Sequence, residues 1–202
     1  MAQGKIIILN GTSSSGKTSI VKALQTALGE PYLDAGLDRF LWMLPKRYLE
    51  RPLWDDVLGL ASQAGEIGHQ LVAGMHQAIL ALSKSGNNVI ADHVLVEPSW
   101  VEACIDLFGE SQIYLVGVHC PLEVLEQREN SRRDRTLGQA KLQFDLVHKY
   151  VLYDVEVDTS ISSPEGCANQ IMQRMETPPM ALREMDKERR LKIQPGGTIN
   201  DD

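Results

Sequence analysis

The sequence predicts an α/β chain, a five-stranded parallel sheet with helices on both faces. Three observations predict it. Short apolar, β-branched runs alternate with segments of helical periodicity along most of the chain. Gly and Pro punctuate the boundaries between them. The first strand and the first helix are joined by a glycine- and serine-rich turn, Gly11-Thr12-Ser13-Ser14-Ser15-Gly16-Lys17-Thr18. Strands that alternate with helices are joined by crossovers, and crossovers build parallel sheets buried on both faces.

The elements follow in order. Lys5 to Asn10 is apolar and reads as a buried strand, and Ser19 to Leu28 reads as a helix stopped by Gly29. A short strand is expected at Pro31 to Ala35. The stretch from Leu41 to Ala64 is less regular and carries Trp42, Met43, Tyr48 and Trp54. Ile67, Leu71, Met75, Ile79 and Leu82 form one stripe of a helix from Ile67 to Ser85, with Gly86 as its stop. Asn88 to Asp92 is a third strand. A helix from Ser99 to Phe108, closed by Gly109, leads to the almost wholly apolar strand Gln112 to His119. Helices at Leu122 to Asn130 and Gly138 to Val151 flank a basic segment. Val155 to Asp158 alternates as a fifth strand. Ser163 caps and Pro164 opens a last helix to about Met175.

The 202 residues form one domain, expected over 1–176, followed by a charged tail over 177–202. The tail holds a potential helix at Ala181 to Lys192 between Pro178-Pro179 and Pro195-Gly196-Gly197, and its ends read as disordered. With 20 basic and 27 acidic side chains the net charge is −7, which argues against a nucleic-acid partner. No stretch is apolar enough to span a bilayer, and the first strand leaves no room for a signal peptide. Cys104, Cys120 and Cys167 show no metal-type spacing and read as buried thiols of a reducing cytoplasm. Oligomeric state has no signature in this sequence.

The turn at residues 11–18 fits G-x-x-x-x-G-K-[ST], and the strand before it and helix after it are the context such a phosphate-binding loop requires. Backbone N–H groups of Ser13, Ser14, Ser15, Gly16, Lys17, Thr18 and Ser19 would surround a polyphosphate at a helix N-terminus. Gly11 opens the turn. Lys17 would reach the β- and γ-phosphates of ATP, and the Thr18 hydroxyl would ligate Mg²⁺. Asp92 ends an apolar strand, where a carboxylate serves either as a second Mg²⁺ ligand or as a loop cap. From Arg128 to Arg135 four arginines fall within eight residues. At least one of Arg128, Arg132, Arg133 and Arg135 is expected to contact phosphate from a closing lid, and a solvated helix with pairs involving Glu129 and Arg133 is the alternative. Asp34 and Asp38 follow the second strand. Asp38 fits two roles equally, a base for a hydroxyl acceptor and a helix cap. Trp42, Met43 and Trp54 fit either an apolar acceptor pocket or ordinary core. Asp158-Thr159-Ser160 closes the fifth strand, where it would flank an adenine or simply enter the last helix.

These residues together resemble the chloramphenicol phosphotransferase family. The likeness is carried by Ile6 to Lys17, Ala35-Gly36-Leu37-Asp38, Val116 to Cys120, Arg128-Glu129-x-x-Arg132-x-Asp134-Arg135 and Tyr153 to Thr159. It spans about residues 5 to 175. The resemblance implies a P-loop kinase fold, a five-stranded parallel sheet of the nucleoside-kinase type. It implies transfer of the ATP γ-phosphate to the primary hydroxyl of chloramphenicol, with Asp38 as base, Lys17 and Thr18 in the loop, and Arg132 and Arg135 on the lid. Arg39 to Gly65 and His93 to Trp100 depart from the family pattern, so the acceptor is the least determined feature. A small-molecule kinase is the expectation. A nucleotide-binding regulatory protein, or a kinase with another metabolite or a macromolecular acceptor, is the alternative. No guanine-reading N-K-x-D segment is present.

Overall fold

The computed structural model describes residues 2–50, 57, 64–109, 111–131 and 138–193. Among them are the strands β1 (Ile6–Asn10), β2 (Tyr32–Asp34), β3 (Asn88–His93), β4 (Ile113–His119) and β5 (Val155–Asp158). The helices are α1 (Lys17–Ala27), α2 (Leu37–Leu41), α3 (Glu66–Lys84), α4 (Pro98–Phe108), α5 (Leu122–Ser131), α6 (Gln139–Phe144), α7 (Pro164–Arg174) and α8 (Ala181–Ile193), with a 3₁₀ turn at Lys46–Leu49. The strands pair in the order β2-β3-β1-β4-β5, all parallel. The sheet is the expected one, five parallel strands with helices on both faces.

Alternation along β1 sets the two layers, because successive side chains of a strand point to opposite faces. Ile6 and Ile8 join a core with Met75, Ile79, Trp100 and Phe108 from α3 and α4. Ile7 and Leu9 join a second core with Ile20, Val21 and Leu24 of α1 and Cys167, Ala168 and Ile171 of α7. β1 lies between β3 and β4 and is fully buried, so its carboxyl end opens into the crevice where strand order reverses. The loop at residues 11–18 therefore starts from the most rigid strand of the sheet.

One expected helix ends early, and another, expected in the tail, is docked on the core; both have physical causes. The helix expected over 138–151 stops at Phe144 and continues as tight turns. The Val147 carbonyl is taken by the Asn10 Nδ2 amide at 2.7 Å, and Val147 itself is buried in the core, so the chain bends inward instead of running on as a helix. Residues 181–193 form α8, whose Ala181, Leu182 and Met185 join the first core. Asp154 fixes the start of α8: its Oδ1 accepts from the backbone N–H groups of Met180 (2.7 Å) and Ala181 (3.3 Å) and from Arg174 (2.8 Å). A buried carboxylate at a helix N-terminus with a guanidinium partner is satisfied from both sides.

Behind the sheet end lies a buried pair, His76 of α3 and His93 of β3, with Nε2 atoms 2.9 Å apart. The Val94 N–H donates to His93 Nδ1 at 2.8 Å, so the His93 proton sits on Nε2 and is donated to His76. His76 then carries its own proton on Nδ1, which is buried without a partner. Burial holds both rings neutral, pushing His76 down to about 4 and His93 well below its usual range. His148 is also lowered to about 4, by burial and then by the neighbouring His119 and Lys17.

Above pH ~6.5 these rings are neutral in both folded and unfolded chains, and stability is at its full value. Between ~6.5 and ~4 the unfolded chain takes up protons that the folded chain refuses, so stability falls as pH falls. Asp92, whose carboxyl is raised, opposes this only in part. The melting temperature should drop by about 5 °C or more across that window. His76→Gln keeps an acceptor for His93 and does not titrate, so its slope should be shallower. An unchanged slope in the variant would assign the protons elsewhere.

Candidate active site

The loop after β1 owes its shape to two left-handed residues, Ser14 (φ 62°) and Gly16 (φ 94°). The second suits glycine, while the first costs an L-residue about 1–2 kcal/mol and marks a loop shaped for something other than its own stability. The hydroxyls of Ser13, Ser14 and Ser15 are buried and have no hydrogen-bond partner among the described residues. Buried polar atoms are normally paired, so three adjacent exceptions in a glycine-rich loop fit a polyphosphate that would satisfy them. Lys17 is buried, and its Nζ donates to the carbonyls of Gly11 (2.7 Å) and Thr12 (2.6 Å).

Ser13 to Ser19 line a cavity at the carboxyl end of the sheet, and Asp38, Asp92, His93, Gln139 and Gln143 share it. Thr18 Oγ1 donates to Asp92 Oδ2 at 3.4 Å, so the two candidate metal ligands meet. A hydroxyl beside a carboxylate is a hard-oxygen donor set of the kind Mg²⁺ takes. Burial pushes the Asp92 carboxyl up; Lys17 pulls it down, and the charges of Asp38 and Asp34 add to the rise. Gly36, just before α2, leaves the room this carboxylate occupies, since a Cβ there would overlap Asp92 Oδ1. Its backbone is extended (φ −68°), so space and not conformation is what calls for glycine.

The carboxylates after β2 have separate environments. Asp34 Oδ2 accepts from Arg39 at 2.6 and 3.0 Å, and its Oδ1 accepts from the Gly36 N–H at 3.2 Å. Asp38 sits in the first turn of α2, two residues past the N-cap Gly36, so it is not the capping residue; it lines the same cavity as the loop, with Leu37 and Leu41. Trp42 and Met43 are 65% and 72% exposed, so the ordinary-core alternative fails for both. Trp42 follows Asp38 by one helical turn, its N–H donating to the Asp38 carbonyl at 3.1 Å. Trp54 lies outside the described residues, as do Arg132, Arg133 and Arg135.

Arg128 reaches the outer side of the loop. Its guanidinium donates to Thr159 Oγ1 (2.9 Å), the Thr159 carbonyl (2.8 Å) and the Ser14 carbonyl (3.5 Å). Thr159 Oγ1 in turn donates to the Ser15 carbonyl at 2.8 Å. The Asp158-Thr159-Ser160 turn thus braces the loop through Thr159. Glu129, buried at 3% exposure, accepts from the N–H groups of Gly138 (2.7 Å) and Ala140 (3.1 Å). It caps α6 and joins both ends of the segment that carries Arg132 and Arg135. Sequence reasoning missed Asn10, Gly36, Gln139 and Gln143. Only Gly36 had a signal, as a glycine one residue from a helix start.

Comparison with known proteins agrees with this architecture. Residues 4–176 match the family model described as chloramphenicol phosphotransferase-like protein. Two Mycobacterium tuberculosis proteins, provisionally named O-phosphotransferases, are each 33% identical over 195 residues, covering 90% of this chain and 87% of theirs. Among solved structures, a sugar kinase from Janibacter superposes with a TM-score of 0.65 at 15% identity, covering 86% of this chain and 95% of that one. The APS kinase of Mycobacterium tuberculosis, solved with AMPPNP and APS, gives 0.60 at 14% identity, covering 88% and 100%. At such identities the likeness concerns the fold.

The Glu129 clamp gives a test of the geometry. Glu129→Ala leaves two N–H groups at the start of α6 without their acceptor in a buried place, which costs about 1–3 kcal/mol. Urea unfolding should show that loss as a lower midpoint with an unchanged slope. A variant as stable as the parent would mean that α6 needs no cap.

Proposed function

Because the chain belongs to the chloramphenicol phosphotransferase-like family, and is a kinase, we propose that it transfers the γ-phosphate of ATP, with Mg²⁺, to a hydroxyl of a small molecule. The observation that supports this reading is the meeting of Thr18 and Asp92 in a cavity that Lys17 and Asp38 also line. One cavity thus holds candidates for binding polyphosphate and metal and a candidate for receiving an acceptor.

In this reading the residues divide the work, Arg132 and Arg135 by their place in the sequence alone. N–H groups of Ser13 to Thr18 orient the phosphate chain at the N-terminus of α1. Lys17 turns from the loop carbonyls to the β- and γ-oxygens and absorbs charge that grows during transfer. Thr18 and Asp92 would hold Mg²⁺, which when bound neutralises charge on the phosphate oxygens. Asp38 accepts the proton of the attacking hydroxyl and aims it in line with the leaving oxygen. Arg132 and Arg135 close over the phosphates and exclude water, so that phosphate goes to the acceptor. Arg128 braces the loop and stands next to the nucleotide. The exposed Trp42, one turn from Asp38, offers an apolar surface to the body of the acceptor. Chloramphenicol, whose phosphorylation would inactivate the antibiotic, is the candidate acceptor that the family suggests.

The deciding experiment incubates the chain with ATP, Mg²⁺ and a panel of hydroxyl compounds that includes chloramphenicol, and reads added phosphate by mass spectrometry. One phosphorylated product supports the reading and names the acceptor. Slow ADP release that ignores every acceptor would favour a regulatory nucleotide-binding protein.

Two substitutions test the roles. Lys17→Ala should abolish transfer and weaken ATP binding, since its charge belongs between the β- and γ-phosphates. Asp38→Asn should keep ATP affinity and melting temperature but lower transfer about 10²- to 10⁴-fold, because Asn keeps the shape of Asp yet takes no proton at neutral pH. Transfer within threefold of the parent would rule out Asp38 as the base.

A further inference from the structure

α6 presents Gln139 and Gln143, one helical turn apart, to the mouth of the loop. Gln143 is buried, and its Oε1 accepts the backbone N–H of Ser13 at 2.6 Å. The acceptor must be the carbonyl end of the carboxamide, because the partner is a donor. The residues are 130 apart in sequence. This contact therefore comes from the fold and is no local turn. It also uses an N–H that an anion-binding loop would offer to phosphate. The same substitution of a neutral partner recurs at Lys17, whose Nζ rests on the Gly11 and Thr12 carbonyls. Around these two contacts the hydroxyls of Ser13, Ser14 and Ser15 have no hydrogen-bond partner among the described residues. The loop is thus held open for an anion at its hydroxyls and covered by a carbonyl oxygen at its first donor.

We propose that Gln143 is a built-in competitor for the phosphate position at Ser13. The inference rests on the reading that the loop takes a nucleotide. Two acceptors cannot share one N–H at 2.6 Å from the first, so a phosphate oxygen reaches Ser13 only when the Gln143 carboxamide swings away. A charged oxygen accepts a stronger bond than an amide carbonyl, which sets the direction of the exchange. The exchange has a mechanical consequence. Gln143 lies on the short helix that Glu129 caps, and the segment with Arg132 and Arg135 runs between those two residues. Phosphate entry therefore acts on α6. A positioning residue of this kind raises the concentration at which nucleotide binds and ties binding to movement of α6.

The test compares the full-length parent with Gln143→Ala and Gln143→Leu, the latter keeping the side-chain volume without an acceptor. Calorimetric titration with a non-hydrolysable ATP analogue and Mg²⁺ measures affinity, and circular dichroism verifies folding. Both variants should bind the analogue about 2- to 10-fold more tightly than the parent, the equivalent of one hydrogen bond no longer broken on binding. Equal or weaker binding in the Leu variant overturns the inference and makes Gln143 a spectator or a phosphate ligand. A parent that does not bind the analogue at all removes the nucleotide reading as well, so the two failures are distinct. In the unmodified protein, NMR provides a second measurement. A scalar coupling from the Ser13 amide nitrogen to the Gln143 side-chain carbonyl carbon should be present without nucleotide and absent at saturation. Its survival at saturation overturns the competition.

Discussion

The side chain of Asn10 is the contact on which the site depends. It ends β1, is fully buried, and stands directly before the loop. Its Nδ2 donates to the Val147 carbonyl and to the Tyr153 hydroxyl, both at 2.7 Å, and its Oδ1 accepts the Leu95 N–H at 2.7 Å. One carboxamide thus joins the central strand to the segment after β3, which follows Asp92, and to the segment after α6, which follows Gln143. A buried amide must satisfy all of its donors and acceptors or forfeit about 1–3 kcal/mol for each that is left. That demand fixes three pieces of chain in one arrangement, and it does so at the point where the loop begins.

Around this anchor the loop is shaped for charge it does not itself carry. The chain is acidic overall, yet its loop groups at this end of the sheet are donors: the amides of residues 13–18, three serine hydroxyls and Lys17. Fixed dipoles in a buried loop stabilise an anion without reorganising when it arrives. Holding such groups ready is costly in the ligand-free chain, and the structure offsets part of the cost with internal acceptors. Gln143 covers one N–H and the loop carbonyls cover Lys17. Thr159 and Arg128 brace the outer side, so the loop keeps its left-handed residues while its inner face is only partly satisfied.

The fold was legible because it is written in local pattern. β1, β3 and β4 are built on apolar runs and β5 on alternation, and the helices on the sheet faces carry their stripes. The loop was legible because its chemistry needs adjacent residues in a set spacing. Partners distant in sequence were not. Nothing in the sequence signals that Asn10 takes the carbonyl of Val147, or that Gln143 reaches Ser13, because such contacts follow from how crossovers stack and have no periodicity. The helix expected to run to Val151 was misjudged for that reason: its own residues permit helix, and a tertiary hydrogen bond ends it at Phe144. α8 was legible as a charged helix, but its docking by Asp154 and Arg174 was not.

The division of labour among the carboxylates shows how environment assigns roles to one residue type. Asp34, Asp38 and Asp92 gather at the carboxyl ends of β2 and β3, and the charges of Asp38 and Asp34 raise the cost of charging Asp92. Such a group is tolerable only when the charges are answered separately. Arg39 answers Asp34 outright, with two short contacts to one oxygen. Asp92 is backed into the space left by Gly36, against the Thr18 hydroxyl, where a metal cation would answer its charge. Asp38 differs from both, since it sits in the first turn of a helix and lines the cavity beside the loop. In the proposed reaction these differences separate a structural ion pair, a metal ligand and a base. The position of each follows from the turn after β2: Gly36 lets Asp92 in, and the helix that starts at Leu37 brings Asp38 to the cavity.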